Sequence, residues 1–312
     1  MRKTVVVALL LSLLAVQLHF MNCQDGFATL GLEVTGGAGG ETVSVCTQAE
    51  LIAALSGNEP RIVRIVCHIV LTTTVYIGSN KSVLGGSESA GVSGRGLEVE
   101  RNKNVIIRGL RFCCPVATDG LLLNGATHVW IDHNEFHADL DHDKDYYDEL
   151  FSCKNGADFV TVSWNKFHSH WKALLIGNSD RNGHIDIGTL HITFHHNYFL
   201  NLNSRVPSLR FGVGHIYNNF YENIFETGIN SRMGAEVLVE SNVFRNSSVP
   251  IATDRYSPEN GYAVERNNDF GGAEFYISHY GTFTKPPYSY RLNRLSKIPL
   301  LVERNAGRTI IF

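Results

Sequence analysis

Val129-Trp-Ile-Asp-His-Asn134-Glu-Phe136 decides the fold once it is set beside Val160-Thr-Val-Ser-Trp-Asn165-Lys-Phe167 and Ile192-Thr-Phe-His-His-Asn197-Tyr-Phe199. Each copy holds a short apolar run, an Asn, one variable residue and an aromatic. The pattern returns at His215-Ile-Tyr-Asn-Asn219-Phe-Tyr221, at Val237-Leu-Val-Glu-Ser-Asn242-Val-Phe244 and at Tyr262-Ala-Val-Glu-Arg-Asn267-Asn-Asp-Phe270. Val105-Ile-Ile-Arg-Gly-Leu-Arg-Phe112 is a degenerate copy without the Asn. Strands this short cannot form a stable sheet alone, whereas stacked repeats bury their apolar faces against one another. The spacing predicts an all-β solenoid, a right-handed parallel β-helix. The recurrent Asn is expected to take left-handed backbone at a turn and to hydrogen-bond its amide to the Asn one coil away. The aromatics are expected to stack in the same way.

Working outward, Thr47-Gln-Ala-Glu50 followed by Leu51-Ile-Ala-Ala-Leu55 and Gly57 reads as a capping box, a short amphipathic helix and a stop. An open coil exposes core and strand edges, so this N-terminal helix is assigned to capping the solenoid. From Glu274 onward the repeat is absent, and that stretch is expected to wrap the outside of the coils.

The extreme N-terminus, Met1-Arg-Lys-Thr followed by an apolar run from Val5 to about Leu18, has the form of a secretory signal peptide and is short for a membrane span. The expected organisation is a signal peptide over residues 1–22 and one domain over residues 23–312, secreted, free of the membrane once processed, and monomeric. Secretion favours disulfides among Cys23, Cys46, Cys67, Cys113, Cys114 and Cys153, with connectivity left open and one thiol free if Cys23 is removed. Their spacing fits no zinc template. The sequons Asn80-Lys-Ser82 and Asn246-Ser-Ser248 suit the outside of a secreted fold. A net charge of −3 over 312 residues leaves no electrostatic footprint for nucleic acid or an anionic membrane. Recognition of an acidic ligand must therefore be local.

The candidate for that is Arg205-Val-Pro-Ser-Leu-Arg210-Phe-Gly-Val-Gly-His215. Pro207 fixes its own φ and disfavours helix at Val206, so both arginines are expected on an extended, rigid segment. Two fixed planar cations suit a polymer with regularly spaced carboxylates. Surface salt bridges are the alternative.

Val129-Trp-Ile-Asp-His133, His168-Ser-His-Trp-Lys172, Arg205-x-Pro207-x-x-Arg210-x-Gly212 and Gly228-Ile-Asn230, in this order, resemble the secreted pectate lyase family, which includes pectin lyases and related plant pollen proteins. The resemblance runs from about Gly26 to the C-terminus. It implies a cleft that binds calcium between the protein and a uronate carboxylate, with Asp119, Asp148 and position 152 as metal ligands. Position 152 is Ser where the family has an acid, which should weaken calcium binding. On a strand, 148 and 152 would share a face and Glu149 would point elsewhere, making Glu149 a poor substitute. The resemblance further implies β-elimination on polygalacturonate, with Arg205 as base and with Lys172 and Arg210 holding substrate carboxylates. Because arginine's ordinary pKa lies above 12, an alkaline optimum is expected. Other readings are a calcium-independent pectin lyase, a carbohydrate-binding β-helix weakened by Ser152, and a hydrolase using Asp119 and Asp148. Asp132 is read as structural, and the histidines as turn residues.

Overall fold

The computed structural model describes residues 24–312. The expected signal peptide and Cys23 lie outside the described residues. Strands follow one another through three parallel sheets in rotation, so each complete circuit contributes one strand to each, and sheet 1 gains one more at either end. Sheet 1 has ten strands, from Glu41–Val45 to Tyr262–Arg266. Sheet 2 runs from His68–Val70 to Val243–Ser247, and sheet 3 from Val75–Tyr76 to Ile251–Ala252, with eight strands each. The fold is the expected all-β parallel β-helix. Among the described residues, no helix is long and apolar enough to cross a membrane.

The repeated Asn sits at the corner between sheets 1 and 2. Asn165 accepts at Oδ1 from the backbone N–H (2.9 Å) and Nδ2 (3.0 Å) of Asn134, and its own Nδ2 donates to Asn197 Oδ1 at 3.1 Å. The ladder continues through Asn219 and Asn242, all wholly buried. Two expectations need correction. The left-handed residue is not the ladder Asn but the residue before it: His133, Trp164, His196, Asn218 and Ser241 have φ of 52° to 54°. The Asn itself must turn inward to reach its neighbours. The final rung is Asn268, not Asn267, because Asn267 takes the left-handed position and Asn268 Oδ1 receives the Asn242 N–H at 2.9 Å. In the degenerate copy Leu110 stands at the rung, and its N–H donates to Asn134 Oδ1 at 3.0 Å.

Two residues after each rung, Phe112, Phe136, Phe167, Phe199, Tyr221 and Phe244 form a continuous stack with centroids 4.2 to 5.4 Å apart. Offset aromatic stacking adds to the burial of these large rings. Leu51, Ala54 and Leu55 of the helix Gln48–Leu55 join the same core, and the capping box at Thr47 and Glu50 is formed. The helix covers the first coils, as expected.

The C-terminal stretch runs along the outside. The helix Ile298–Asn305 buries Ile298 and Val302 against Tyr198, Phe220 and Val243. Upstream of it, Asn293 Oδ1 hydrogen-bonds His196 Nε2 at 2.8 Å. His196 also stacks on Trp164, 4.2 Å between centroids. Burial, reinforced by the neighbouring His195, depresses its pKa from 6.5 to about 3. His170 is depressed to about 4 by burial and by Lys172. The unfolded chain therefore takes up protons near pH 6.5 that the folded protein refuses, so stability falls as pH drops through that window. His196 alone is expected to remove about 2 kcal/mol at about pH 5. Thermal melts at neutral and mildly acid pH check this, and an unchanged midpoint would refute it.

The disulfides are Cys46–Cys67 and Cys113–Cys114, and Cys153 is a buried free thiol. Asn246 is exposed, whereas Asn80 is half-buried with its amide engaged by Asn58 and Asn104. The second sequon suits an outer surface better than the first.

Candidate functional site

The corner between sheets 2 and 3 collects the site. Asp119 precedes the strand Leu121–Asn124, Asp148 and Glu149 precede Phe151–Lys154, Lys172 ends Lys166–Lys172, and Arg205 lies between Tyr198–Ser204 and Ser208–Arg210. Backbone hydrogen bonds tie these corners together from coil to coil. Gly120 donates to the Glu149 carbonyl at 2.9 Å, and Leu174 to that of Arg205 at 2.8 Å. Residues far apart in sequence are thereby stacked in one column.

At one end of the column, carboxylate oxygens of Asp119, Asp148 and Glu149 all lie within 4.8 Å of one another. The inward placement of Glu149 corrects the expectation that it points elsewhere. Residues 148 and 149 are irregular backbone ahead of the strand, so strand alternation does not govern them. Glu149 is 2 % exposed. Burial raises its pKa, as does a hydrogen bond shared with Asp148, against the opposing influence of Arg205. Asp148 goes the other way: burial is outweighed by that hydrogen bond and by Lys154, Lys172 and Arg205.

Ser152 is wholly buried, and its hydroxyl donates to Asp119 Oδ1 at 3.1 Å. Lys154, which the sequence reading passed over, sends its ammonium among the acids, 2.7 Å from Asp119 Oδ2 and 3.9 Å from Glu149 Oε2. Asp132 is structural, buried between Arg108, His133 and Ser163. Cys113, Cys114 and His137 also lie close together on sheet 2, but the two sulfurs are joined in a disulfide and offer no thiolate to a metal.

Beside the carboxylates opens a groove of about 420 Å³ lined by Lys172, Arg205, Arg210, Arg232, Trp171 and Tyr256 among others. The expected extended arginine segment is instead a turn: Arg205 has φ 59°, and Arg210 ends the following strand. Arg205 Nη1 is paired with Glu149 Oε1. Lys172 Nζ lies 2.9 Å from Asp145 Oδ1, and Arg210 pairs with Asp180. Arg232, also missed, stands beside Arg210 on the next strand. Burial and Arg210 lower its pKa to about 10. Its Nε, together with Ser208 Oγ and Asn230 Oδ1, is buried without a partner. Unsatisfied buried groups of this kind are costly and mark a place shaped for a polar ligand. Arg232 follows directly on Gly228-Ile-Asn230, so extending that run by two residues would have found it.

Fold and groove together define the class: a parallel β-helix with a cation-lined cleft beside a cluster of carboxylates, two of them buried. The pectate lyase family model matches residues 2–297. The chain is 47 % identical over 290 residues to pectate lyase A of Emericella nidulans, covering 92 % of this chain and 87 % of that one. It is 42 % identical to the pectate trisaccharide-lyase of Bacillus licheniformis, covering 90 % and 85 %. A pectate lyase from Bacillus sp. N165, solved in complex with trigalacturonate, superimposes with a TM-score of 0.84 at 31 % identity, covering 91 % of this chain and 98 % of that one. The chain belongs to the pectate lyase family.

Proposed function

We propose that this chain is a secreted, monomeric pectate lyase that cleaves α-1,4-linked polygalacturonate by calcium-assisted β-elimination, its catalytic unit spanning residues 23–312 after loss of a signal peptide. One observation carries the reading: Lys172, Arg205 and Arg210 line a single groove, and Arg205 joins it to a cluster of three carboxylates through Glu149. A donor set of hard oxygens fits a hard cation such as calcium. Asp119 and Asp148 would hold it, with Ser152 contributing no charge. When bound, calcium would withdraw charge from the C6 carboxylate of a galacturonate unit and acidify the neighbouring C5 proton.

The chain's own residues do the rest. Arg205, in its neutral form, takes the proton from C5. The electron pair forms the C4–C5 double bond, and the glycosidic oxygen leaves C4 with its bonding pair and is protonated by water. Lys172 neutralises charge developing on the carboxylate side, and Arg210 pairs with a sugar carboxylate.

The test is release of unsaturated product from polygalacturonate, followed by its ultraviolet absorbance, with calcium and then with chelator. Product that requires calcium is expected. Chelator-insensitive turnover of methylated pectin would instead favour a pectin lyase, a reading that the Lys154 ammonium among the acids supports. Silence on both substrates would leave carbohydrate binding alone.

A further inference from the structure

The metal side of the groove is short of a carboxylate at position 152, where Ser152 offers a hydroxyl already engaged with Asp119. Three residues upstream, Glu149 brings a buried carboxylate into the same space as Asp119 and Asp148. That carboxylate is not idle: Arg205 holds one oxygen, the other faces Lys154, and a hydrogen bond is shared with Asp148. We propose that Glu149 replaces the missing acid as a calcium ligand, and that its capture by the metal releases the Arg205 guanidinium into the groove. The proposal rests on the calcium-assisted lyase reading above.

Charge balance favours the exchange. Three carboxylates facing one ammonium and one dication are neutral, provided that Arg205 has left the cluster. With Glu149 absent, the same cations would be in excess. With Arg205 still attached, they would be in excess as well. A buried site tolerates uncompensated charge poorly, so metal and guanidinium compete for one anion. Competition of this kind is reciprocal: Arg205 weakens calcium binding through Glu149 to the extent that calcium loosens Arg205. Loading the metal and freeing the base then become one event.

The test is isothermal titration of calcium into the substrate-free protein as wild type, Glu149→Gln, Arg205→Ala and the double variant. Glu149→Gln is expected to weaken calcium binding by about tenfold or more. Arg205→Ala is expected to tighten it about fivefold in the wild-type background and to have no effect beside Glu149→Gln. Ser152→Asp added to Glu149→Gln should restore affinity, which separates a lost ligand from a damaged fold. An unchanged dissociation constant in Glu149→Gln would overturn the proposal. So would equal tightening by Arg205→Ala in both backgrounds, since simple charge repulsion gives that result. If either occurs while wild-type turnover still requires calcium, only this inference falls. If wild-type turnover needs no calcium, the lyase reading falls with it.

Discussion

Arg205→Lys is expected to lower kcat on polygalacturonate by about a thousandfold while KM moves only a few-fold. The reason lies in how the turn presents the side chain. Its backbone is held from both sides, by Leu174 donating to the Arg205 carbonyl and by Val206 donating to that of Gly228 at 2.9 Å. The guanidinium therefore works from a fixed point between Glu149 and the groove. Lysine keeps a positive charge but loses the planar fork and carries its nitrogen on a more mobile stem. Binding of a polyanion, shared with Lys172, Arg210 and Arg232, should survive; proton abstraction at one defined atom should not. Arg210→Lys should give the complementary pattern, a raised KM with kcat largely kept. Steady-state kinetics on both variants decide the matter. A kcat within tenfold of wild type for Arg205→Lys would remove Arg205 from the role of base.

Asn165→Ala is expected to destabilise the fold by about 4 kcal/mol, lowering the melting midpoint by about 7 °C. The side chain is wholly buried. Besides the two donors it satisfies on Asn134, its Nδ2 donates to the carbonyls of Ile131 and Ser163, each at 3.0 Å. Removing it orphans groups on both neighbouring coils and leaves a cavity no water-exposed group can fill. Asn246→Ala, at an exposed strand position with φ 49°, loses left-handed preference and one solvent-exposed hydrogen bond to Asn223 Oδ1 and should cost about 1 kcal/mol. Denaturant titration of the two variants measures the contrast. Equal losses would mean that the buried ladder contributes no more than an exposed asparagine pair.

The ladder was legible because one chemical demand recurs: a buried corner needs a small side chain that both donates and accepts. What the pattern hid was the division of labour between adjacent residues. The strained backbone falls on His133, Trp164 or Ser241, residues with no common chemistry, so nothing in their types announces it. The same closeness misplaced the last rung, where Asn267 and Asn268 stand side by side. Around the carboxylates, alternation was applied to Glu149 where no strand exists, and a search for acids overlooked Lys154, whose ammonium lies among them. Arg205 and Arg210 stood out in sequence, yet the turn that separates them depends on the coils above and below.

The parallel stacking of sheet 3 also sets a direction. Adjacent strands in a sheet lie about 4.8 Å apart, so Arg210 and Arg232, paired in register, mark successive steps of a ruler laid along the solenoid axis. Lys172 lies one coil earlier, whereas Arg205 sits at the corner of the same coil that carries Arg210. A stiff polyanion running across the strands' short direction would meet cations on three successive coils, whereas one lying parallel to the strands would meet those of one coil and then solvent. Periodicity in the protein would thus orient a bound polymer before any sugar is recognised, and shifting that polymer by one unit would present an equivalent carboxylate to the same arginine.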